Sequence, residues 1–166
     1  MKTLHSRLLV SLGLALVMIV AHIPSANAQE REVQRKWGLS AYLQTTQAEI
    51  LVPIWLGQRF VLAPTLSANY IENTGTLLGY GAAARIYANM ARLASYYGLK
   101  AQALTALPKG GTSNTAFLIA VFYGGEFFLS QRFSIGIEPA VNLLIPPNNG
   151  PLVISTSTML TASVHF

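Results

Sequence analysis

From Trp37 onwards, apolar side chains recur at every second position, and turn-forming residues interrupt the pattern at near-regular intervals. In the segment 117–127, the apolar residues of one parity are Phe117, Ile119, Val121, Tyr123 and Phe127. A period of two is typical of a β-strand with two different faces, whereas an amphipathic helix repeats about every 3.6 residues. The pattern therefore predicts an all-β fold for this part of the chain.

Eight segments carry this alternation, and turn signals separate them. They are 37–45, 49–56, 60–71, 77–89, 94–107, 115–128, 133–145 and 152–166. Most are as long as the strands of membrane barrels, which need about 9–11 residues, and longer than the strands of globular proteins, which have about 5–6. An even strand number, with short turns at one end and longer loops at the other, is typical of bacterial outer-membrane barrels. We therefore predict an eight-stranded antiparallel up-and-down transmembrane β-barrel over residues 37–166.

Prolines interrupt three of these segments, at Pro53, Pro64 and Pro139. A proline has no N–H to donate to the ladder, and a closed barrel has no edge strand to accommodate it. We therefore expect β-bulges near these residues. The second segment is also apolar on both faces, so the pattern leaves its register open.

The two faces of the last segments differ in polarity. One face is apolar and includes Phe133, Ile135, Ile137, Leu160 and Val164. The other face is polar and includes Glu126, Ser134, Glu138, Asn142, Ser163 and His165. An outer-membrane barrel turns its apolar face to lipid and its polar face to the lumen. This parity favours a membrane barrel over a soluble one, whose interior is apolar.

Four charged residues have the lumen-facing parity on consecutive segments. They are Arg85, Lys100, Glu126 and Glu138, and Glu49 is a further member of the predicted set. Because an unpaired buried charge is costly, we expect these side chains to form one ionic and hydrogen-bonded network. A barrel of eight strands is filled by its own side chains. The network is therefore predicted to plug the lumen, and a narrow path for ions or small solutes is the alternative.

The beginning of the chain has the features of a cleaved signal peptide. Lys2 and Arg7 precede an apolar core over residues 8–21. Ala26 and Ala28 occupy the two positions that a signal peptidase reads. The core is shorter than the about 20 residues of a membrane-spanning helix, which argues against an uncleaved anchor. We predict a location in the bacterial outer membrane, with a signal peptide over 1–28, a periplasmic lead-in over 29–36 and the barrel over 37–166.

Composition agrees with a membrane protein and argues against several kinds of site. Charged residues make up 10% of the chain and hydrophobic ones 52%, whereas a soluble domain carries roughly 25% charged residues. The net charge of +5 is too scattered for a nucleic-acid-binding surface. The chain has no cysteine, no metal-ligand spacing and no glycine-rich phosphate loop. We therefore predict no cofactor, no metal ion and no nucleic-acid partner.

Two stretches carry a resemblance to a known family. The stretch 125–136 (GEFFLSQRFSIG) looks like the penultimate hairpin of small outer-membrane barrels, and the chain ends in LTASVHF. Over residues 37–166 the sequence resembles the small outer-membrane β-barrel superfamily, the porin-like and eight-stranded group that includes the OmpA-type membrane domain. In that group a terminal aromatic residue preceded by alternating apolar residues is read by the barrel-assembly machinery. Here those positions are Leu160, Ala162, Val164 and Phe166.

The resemblance implies two partners, outer-membrane lipids and the assembly machinery during insertion, and it leaves a partner at the cell surface open. Some barrels of this class are enzymes that use His with Ser and an acid. Here the predicted mature chain has one histidine, His165, with Ser163 on the same face, no Asp, and no acid nearby in sequence. We therefore predict no catalytic residues and no enzymatic activity.

Three functions compete at this point. The favoured one is a non-enzymatic outer-membrane barrel with a structural or surface-contact role and a plugged polar interior. The second is a narrow pore for ions or small solutes. The third is a soluble periplasmic barrel that binds an apolar ligand as lipocalins do, and it requires residues such as Phe117, Ile119 and Val121 to point into the lumen.

Overall fold

The computed structural model describes residues 35–44, 47–71, 75–148 and 150–166, and all regular secondary structure in these ranges is β-strand. The strands are β1 (Gly38–Gln44), β2 (Gln47–Leu51), β3 (Ile54–Trp55), β4 (Phe60–Ile71), β5 (Gly75–Tyr87), β6 (Leu93–Pro108), β7 (Asn114–Phe128), β8 (Phe133–Ile145) and β9 (Val153–His165). No helix in these ranges is long and apolar enough to cross a membrane. The predicted all-β fold is confirmed, whereas the predicted signal peptide, with Ala26 and Ala28, lies outside the described residues.

The nine strands form one closed antiparallel sheet with eight positions. From β4 to β9 each strand pairs with the next along the chain, and β1 pairs with both β2 and β9. Strands β2 and β3 both pair with β4, so together they form one strand of the barrel. The closing ladder joins β1 to β9, where Leu39 lies opposite Val164 and Leu43 opposite Leu160. The predicted eight-stranded antiparallel barrel is thereby confirmed.

The two ends of the barrel differ. At one end, here called the terminal end, the chain enters at Trp37 and finishes at Phe166, and the connections 56–59, 88–92 and 129–132 are short. The opposite end, where residues 109–113 join β6 to β7, is called the loop end. At the terminal end the rings of Trp37 and Phe166 stack with their centroids 4.4 Å apart. The amide of Phe166 also donates a 2.9 Å hydrogen bond to the carbonyl of Trp37, which ties the two ends of the barrel chain together.

The prolines interrupt the ladder without forming bulges, so that prediction is wrong. Ile50 lies opposite Leu66 and Ile54 opposite Leu62, which means that the register against β4 is the same on both sides of Pro53. The register between β7 and β8 is likewise unchanged on both sides of Pro139.

Each of two prolines keeps the hydrogen bond that its carbonyl can accept. The amide of Val52 donates to the carbonyl of Pro64 at 3.0 Å, and the amide of Gly38 donates to the carbonyl of Pro53 at 2.8 Å. Only the donor side of each pair is lost, because proline has no N–H. The ladder therefore closes around these residues without an extra residue, which a bulge would insert.

The exterior of the barrel is apolar, as the alternation predicts. Phe117, Ile119 and Val121 on β7 point outward and are 57%, 44% and 58% exposed. The outward positions of the other strands include Leu39, Leu43, Ile50, Leu66, Ile86, Leu99, Ile135, Val141, Ile154 and Leu160, all exposed. Strand side chains alternate between the two faces, so these positions leave the intervening residues to fill the interior. The predicted outward parity of β7, β8 and β9 is confirmed.

The interior is mixed, with aromatic and small apolar residues beside the polar ones. A row of ring contacts crosses the lumen, from Trp55 to Tyr87 at 4.9 Å, from Tyr87 to Tyr96 at 5.1 Å, and from Tyr96 to Phe122 at 6.2 Å between centroids. Small residues surround this row, and they include Ala63, Ala83, Ala94, Ala120 and Ala140. The small residues leave the volume that the large rings occupy, so rings from several strands meet in the lumen.

Two glycines make room for the rings. Gly124 lies opposite Tyr96, and Gly98 lies opposite Phe122. A Cβ atom at Gly124 would lie 2.2 Å from Cζ of Tyr96, and one at Gly98 would lie 2.5 Å from Cζ of Phe122. Each ring therefore lies across the backbone of a neighbouring strand at a distance that only glycine permits.

Candidate functional site in the barrel interior

Polar side chains inside the barrel form three hydrogen-bonded groups at different depths. The central group consists of Tyr42, Arg85, Tyr96 and Glu138. The loop-side group consists of Glu49, Thr65, Lys100 and Gln102. The terminal group consists of Tyr87, Glu126, Ser134 and His165, and all twelve residues are buried.

The central group pairs one cation with one carboxylate through tyrosine hydroxyls. The hydroxyl of Tyr42 donates to Oε2 of Glu138 at 2.6 Å, and the hydroxyl of Tyr96 donates to the same oxygen at 3.0 Å. Nη2 of Arg85 donates to the hydroxyl of Tyr42, and Nε of Arg85 lies 3.9 Å from Oε2 of Glu138.

The Arg85 guanidinium also lies between two rings, 5.3 Å from the centroid of Tyr42 and 5.2 Å from that of Tyr96. Cations are attracted to the faces of aromatic rings, and this attraction is larger where water is excluded. Glu138, the hydroxyl of Tyr42 and the two rings therefore balance the buried charge of Arg85, whose Nε has no hydrogen-bond partner.

The loop-side group contains a direct ion pair. Nζ of Lys100 lies 3.0 Å from Oε2 of Glu49, and Nε2 of Gln102 donates to Oε1 of Glu49 at 2.7 Å. Nε2 of Gln102 also donates to Oγ1 of Thr65 at 2.8 Å. Both carboxylate oxygens of Glu49 therefore accept hydrogen bonds, which is the condition for keeping an ion pair in a buried place. Because Glu49 belongs to β2 and Lys100 to β6, this contact joins strands that are separated by β4 and β5 in the sheet.

The terminal group collects side chains from β5, β7, β8 and β9 around one carboxylate. The hydroxyls of Tyr87 and Ser134 both donate to Glu126, to Oε2 and Oε1 respectively. Nε2 of His165 lies 2.9 Å from Oγ of Ser134 and 3.4 Å from Oε1 of Glu126. Nδ1 of His165 is buried and has no hydrogen-bond partner.

This geometry differs from that of a catalytic triad. In a triad the histidine accepts the serine proton at one nitrogen, while the acid holds the other nitrogen. Here the hydroxyl of Ser134 donates a hydrogen bond to Glu126, and both residues lie at Nε2 of His165. Ser134 is also fully buried. The arrangement of these three side chains is therefore not that of a triad.

Arg35 and Lys36, the described residues of the predicted lead-in, lie over the terminal group. The guanidinium carbon of Arg35 lies 3.8 Å from the ring centroid of Phe128 and 5.6 Å from that of Trp55. Burial lowers the pKa of Arg35, whereas the nearby Glu126 carboxylate raises it. The backbone of Lys36 bonds to Phe166 and Trp55 at 3.0 Å each, which fixes this segment over the end of the barrel.

All five residues predicted for the interior network lie in the interior, but they do not form one network. Lys100 binds Glu49, Arg85 binds Glu138, and Glu126 binds uncharged hydroxyls and His165. The prediction of a single network is therefore corrected to three separate groups. Parity along a strand shows that a side chain faces the lumen, but it does not show which side chain it meets on the far wall.

Ser134 has the predicted lumen-facing parity, but the other hydroxyl and amide partners of these charges were not predicted as such. They are Tyr42, Tyr87, Tyr96, Thr65 and Gln102. Tyrosines at lumen-facing positions could have indicated these contacts, because a buried hydroxyl needs a polar partner. No acid lies near His165 in sequence, as the sequence analysis states, but Glu126 reaches it from β7. Ser163, two positions before His165, bonds instead to Ser40 at 2.7 Å.

The residues of the predicted assembly signal lie along the outer face of β9 and its end. Leu160, Val164 and Phe166 are exposed, and Ala162 is half-buried between its neighbours. The outward parity of these residues follows from the pairing of β9 with β1 and β8.

In the described part of the chain, no group of three His, Asp or Glu side chains is placed to hold a metal ion. The polar groups of the interior bind one another, and many of these bonds join strands that are not neighbours in the sheet. No family model matches the chain, and neither do any of the curated proteins or solved structures with which it was compared.

Proposed function

We propose that the chain is an integral protein of the bacterial outer membrane, whose filled, non-catalytic barrel has a structural or surface-contact role. One observation carries this proposal. In the described strands, no Asp, Glu, Lys or Arg side chain is exposed on the outer wall. A soluble barrel of this size would need charged residues on that wall to remain in water.

Among the described residues, the exposed charged side chains lie at the ends of the barrel, beyond the strands. They are Lys36, Arg59, Arg92 and Arg132 at the terminal end, and Lys109 at the loop end. The carboxylates of Glu49, Glu126 and Glu138 are all inside. An apolar band between two polar rims is the surface that a bilayer requires of a barrel. This distribution therefore supports a membrane location.

The filled interior supports a closed barrel over a pore. Tyr42, Tyr87, Tyr96 and Arg85 meet in the lumen, where their contacts run from wall to wall. Arg35 covers the terminal end above Phe128. An ion entering the lumen would have to displace several of these bonded side chains. The same residues occupy the space in which a lipocalin-like barrel would hold its ligand.

Fractionation of cells that express the whole chain tests the proposal. We expect the protein in the outer-membrane fraction, resistant to extraction at high pH, with migration on denaturing gels that changes on heating. Recovery in the soluble periplasmic fraction would contradict the proposal and favour the ligand-binding alternative. Planar-bilayer recordings on the folded protein give the second readout, and stable single-channel steps would replace the closed barrel with a pore.

A further inference from the structure

The outer wall is not smooth, because an apolar groove of about 500 Å³ crosses it from β1 to β6. Its walls are formed by Leu43, Leu160, Ile137, Ile135, Phe127 and Leu93. A volume of about 300–1,000 Å³ is usual for pockets that hold small ligands. The groove is thus large enough to hold a ligand in place.

The floor of the groove is made of small residues. Gly125 lies opposite Ile137, and Ala162 lies opposite Ile135, so a small side chain faces a large one in each pair. Gly125 has no side chain and Ala162 has only a methyl group, so the sheet surface is low at these two positions and the larger side chains lie around them. The groove follows the hydrogen-bonding direction of the sheet, from the Leu43–Leu160 pair to the Leu93–Phe127 pair.

A cation lies at the terminal end of the groove. Arg92 precedes Leu93 in the chain, and its guanidinium carbon is 4.9 Å from the ring centroid of Phe127. Arg92 itself is exposed, and the side-chain carboxylates of the described residues, those of Glu49, Glu126 and Glu138, are inside the barrel. An apolar groove with a positive charge at its outer end is complementary to an amphipathic anion, because the guanidinium binds phosphate oxygens well.

We propose that this groove binds one anionic phospholipid, with its phosphate on Arg92 and an acyl chain between Phe127, Ile137 and Leu160. The proposal rests on the membrane location proposed above. A second copy of the chain fits the groove less well, because two copies in one membrane would place their cationic terminal ends side by side. The lipid instead brings the negative charge that Arg92 requires.

Native mass spectrometry of the detergent-purified full barrel can measure the binding. The probes are phosphatidylglycerol and phosphatidylcholine with the same acyl chains. Two variants test the two halves of the site: Arg92→Gln removes the charge, and Ala162→Leu fills the floor with another apolar side chain. Arg59→Gln is the matched control, since Arg59 is also an exposed arginine of a terminal-end connection but does not border the groove.

We expect phosphatidylglycerol to bind more tightly than phosphatidylcholine, and each groove variant to weaken its binding about tenfold. Arg59→Gln should leave the binding unchanged, and heat-modifiable migration should show that every variant is folded. Equal binding of the two lipids, or equal losses for Arg59→Gln and Arg92→Gln, would overturn the site. A dimer that Ala162→Leu dissociates would overturn it too and assign the groove to a second copy.

Failure of the lipid site can be distinguished from failure of the proposed membrane location. Unchanged lipid binding by the variants, with the wild-type protein in the outer membrane, removes the site alone. Recovery of the wild-type protein in the soluble fraction removes the membrane location, whatever the lipid measurement shows.

Discussion

The hydroxyl of Tyr42 donates a 2.6 Å hydrogen bond to Glu138, although the two residues are 96 positions apart and lie on strands that are not neighbours. Strand β9 lies between β1 and β8, so the bond passes through the lumen and not along the sheet. The contacts of the central and loop-side groups likewise reach across the barrel. They hold the cross-section of the barrel fixed, which the ladder bonds alone do not do.

Removing the hydroxyl of Tyr42 should therefore weaken the whole barrel. In Tyr42→Phe, Glu138 keeps only the bond from Tyr96, and Nη2 of Arg85 loses its acceptor. An unsatisfied buried group costs about 1–3 kcal/mol, more if it is charged, so we expect at least that loss in the free energy of unfolding in urea. Tyr80→Phe is the control, because Tyr80 points outward and is 53% exposed. Equal stability of the two variants would contradict a structural role for the central group.

The loop-side ion pair should be far more sensitive to the loss of one partner than of both. Lys100→Met leaves the Glu49 carboxylate buried with the single donor Gln102, and we expect a loss of about 3–5 kcal/mol. In the double variant Lys100→Met with Glu49→Gln the charge is gone, so most of that loss should be recovered. Urea unfolding of the wild type, the two single variants Lys100→Met and Glu49→Gln, and the double variant gives the coupling energy between the two side chains. Additive losses would mean that Lys100 and Glu49 do not interact.

Adding one methyl group at Gly124, which lies against the ring of Tyr96, should disturb the packing of that ring. Gly124→Ala places a carbon where the ring now lies, and the ring must shift. Overpacking of this kind costs typically about 1–3 kcal/mol, measured as the free energy of unfolding. Gly57→Ala adds the same methyl group in open space, with no atom within 4 Å, and should be neutral. A neutral Gly124→Ala would show that the ring has another place to go.

A charged substitution on the outer wall should show whether that wall faces lipid or water. Val121 lies near the middle of β7 and is 58% exposed, so its side chain faces lipid if the barrel is in a membrane. Val121→Arg should then reduce the stability of the barrel in bilayers by about 2–4 kcal/mol. The control Ser113→Arg adds the same charge in the connection before β7 and should have little effect. If Val121→Arg is equally harmless in vesicles, the wall does not face hydrocarbon.

The end of the chain can be tested for a role in assembly that is separate from packing. Phe166→Ala and Trp37→Ala both remove the stacked pair at the terminal end. Only the first removes the terminal aromatic residue of the predicted assembly signal. We expect several-fold less heat-modifiable protein in the membrane for Phe166→Ala and a smaller effect for Trp37→Ala. Equal losses would assign the effect to the stack.

The period-two pattern was sufficient to predict most strands and their faces, but not that the second segment, 49–56, divides into β2 and β3. Strands β4 and β8 begin and end at the predicted residues, 60–71 and 133–145, and their outward side chains are the apolar ones. The prolines were harder to predict, because the pattern does not show that each one faces a different neighbouring strand. The carbonyl of Pro53 accepts from Gly38 and that of Pro64 accepts from Val52, so each ladder loses a single donor and needs no extra residue.

Contacts across the lumen could not be predicted from the sequence. Glu49 and Lys100 share a lumen-facing parity with many residues, and only the curvature of the closed sheet brings these two together. The groove was missed for a similar reason, since Gly125 and Ala162 lie far apart in sequence. They become neighbours in one depression only after β8 is placed between β7 and β9.

The ladder between β1 and β9 has a consequence for the order of folding. It closes across almost the whole barrel chain, and its Ser40–Ser163 contact joins residues 123 positions apart. From β4 to β9 every ladder is a local hairpin, so the entropy lost on loop closure is greatest at this seam. We expect the seam to form last, after the hairpins have assembled into an open sheet. Until then β1 and β9 expose free backbone edges, and those edges are where an unfinished molecule would aggregate.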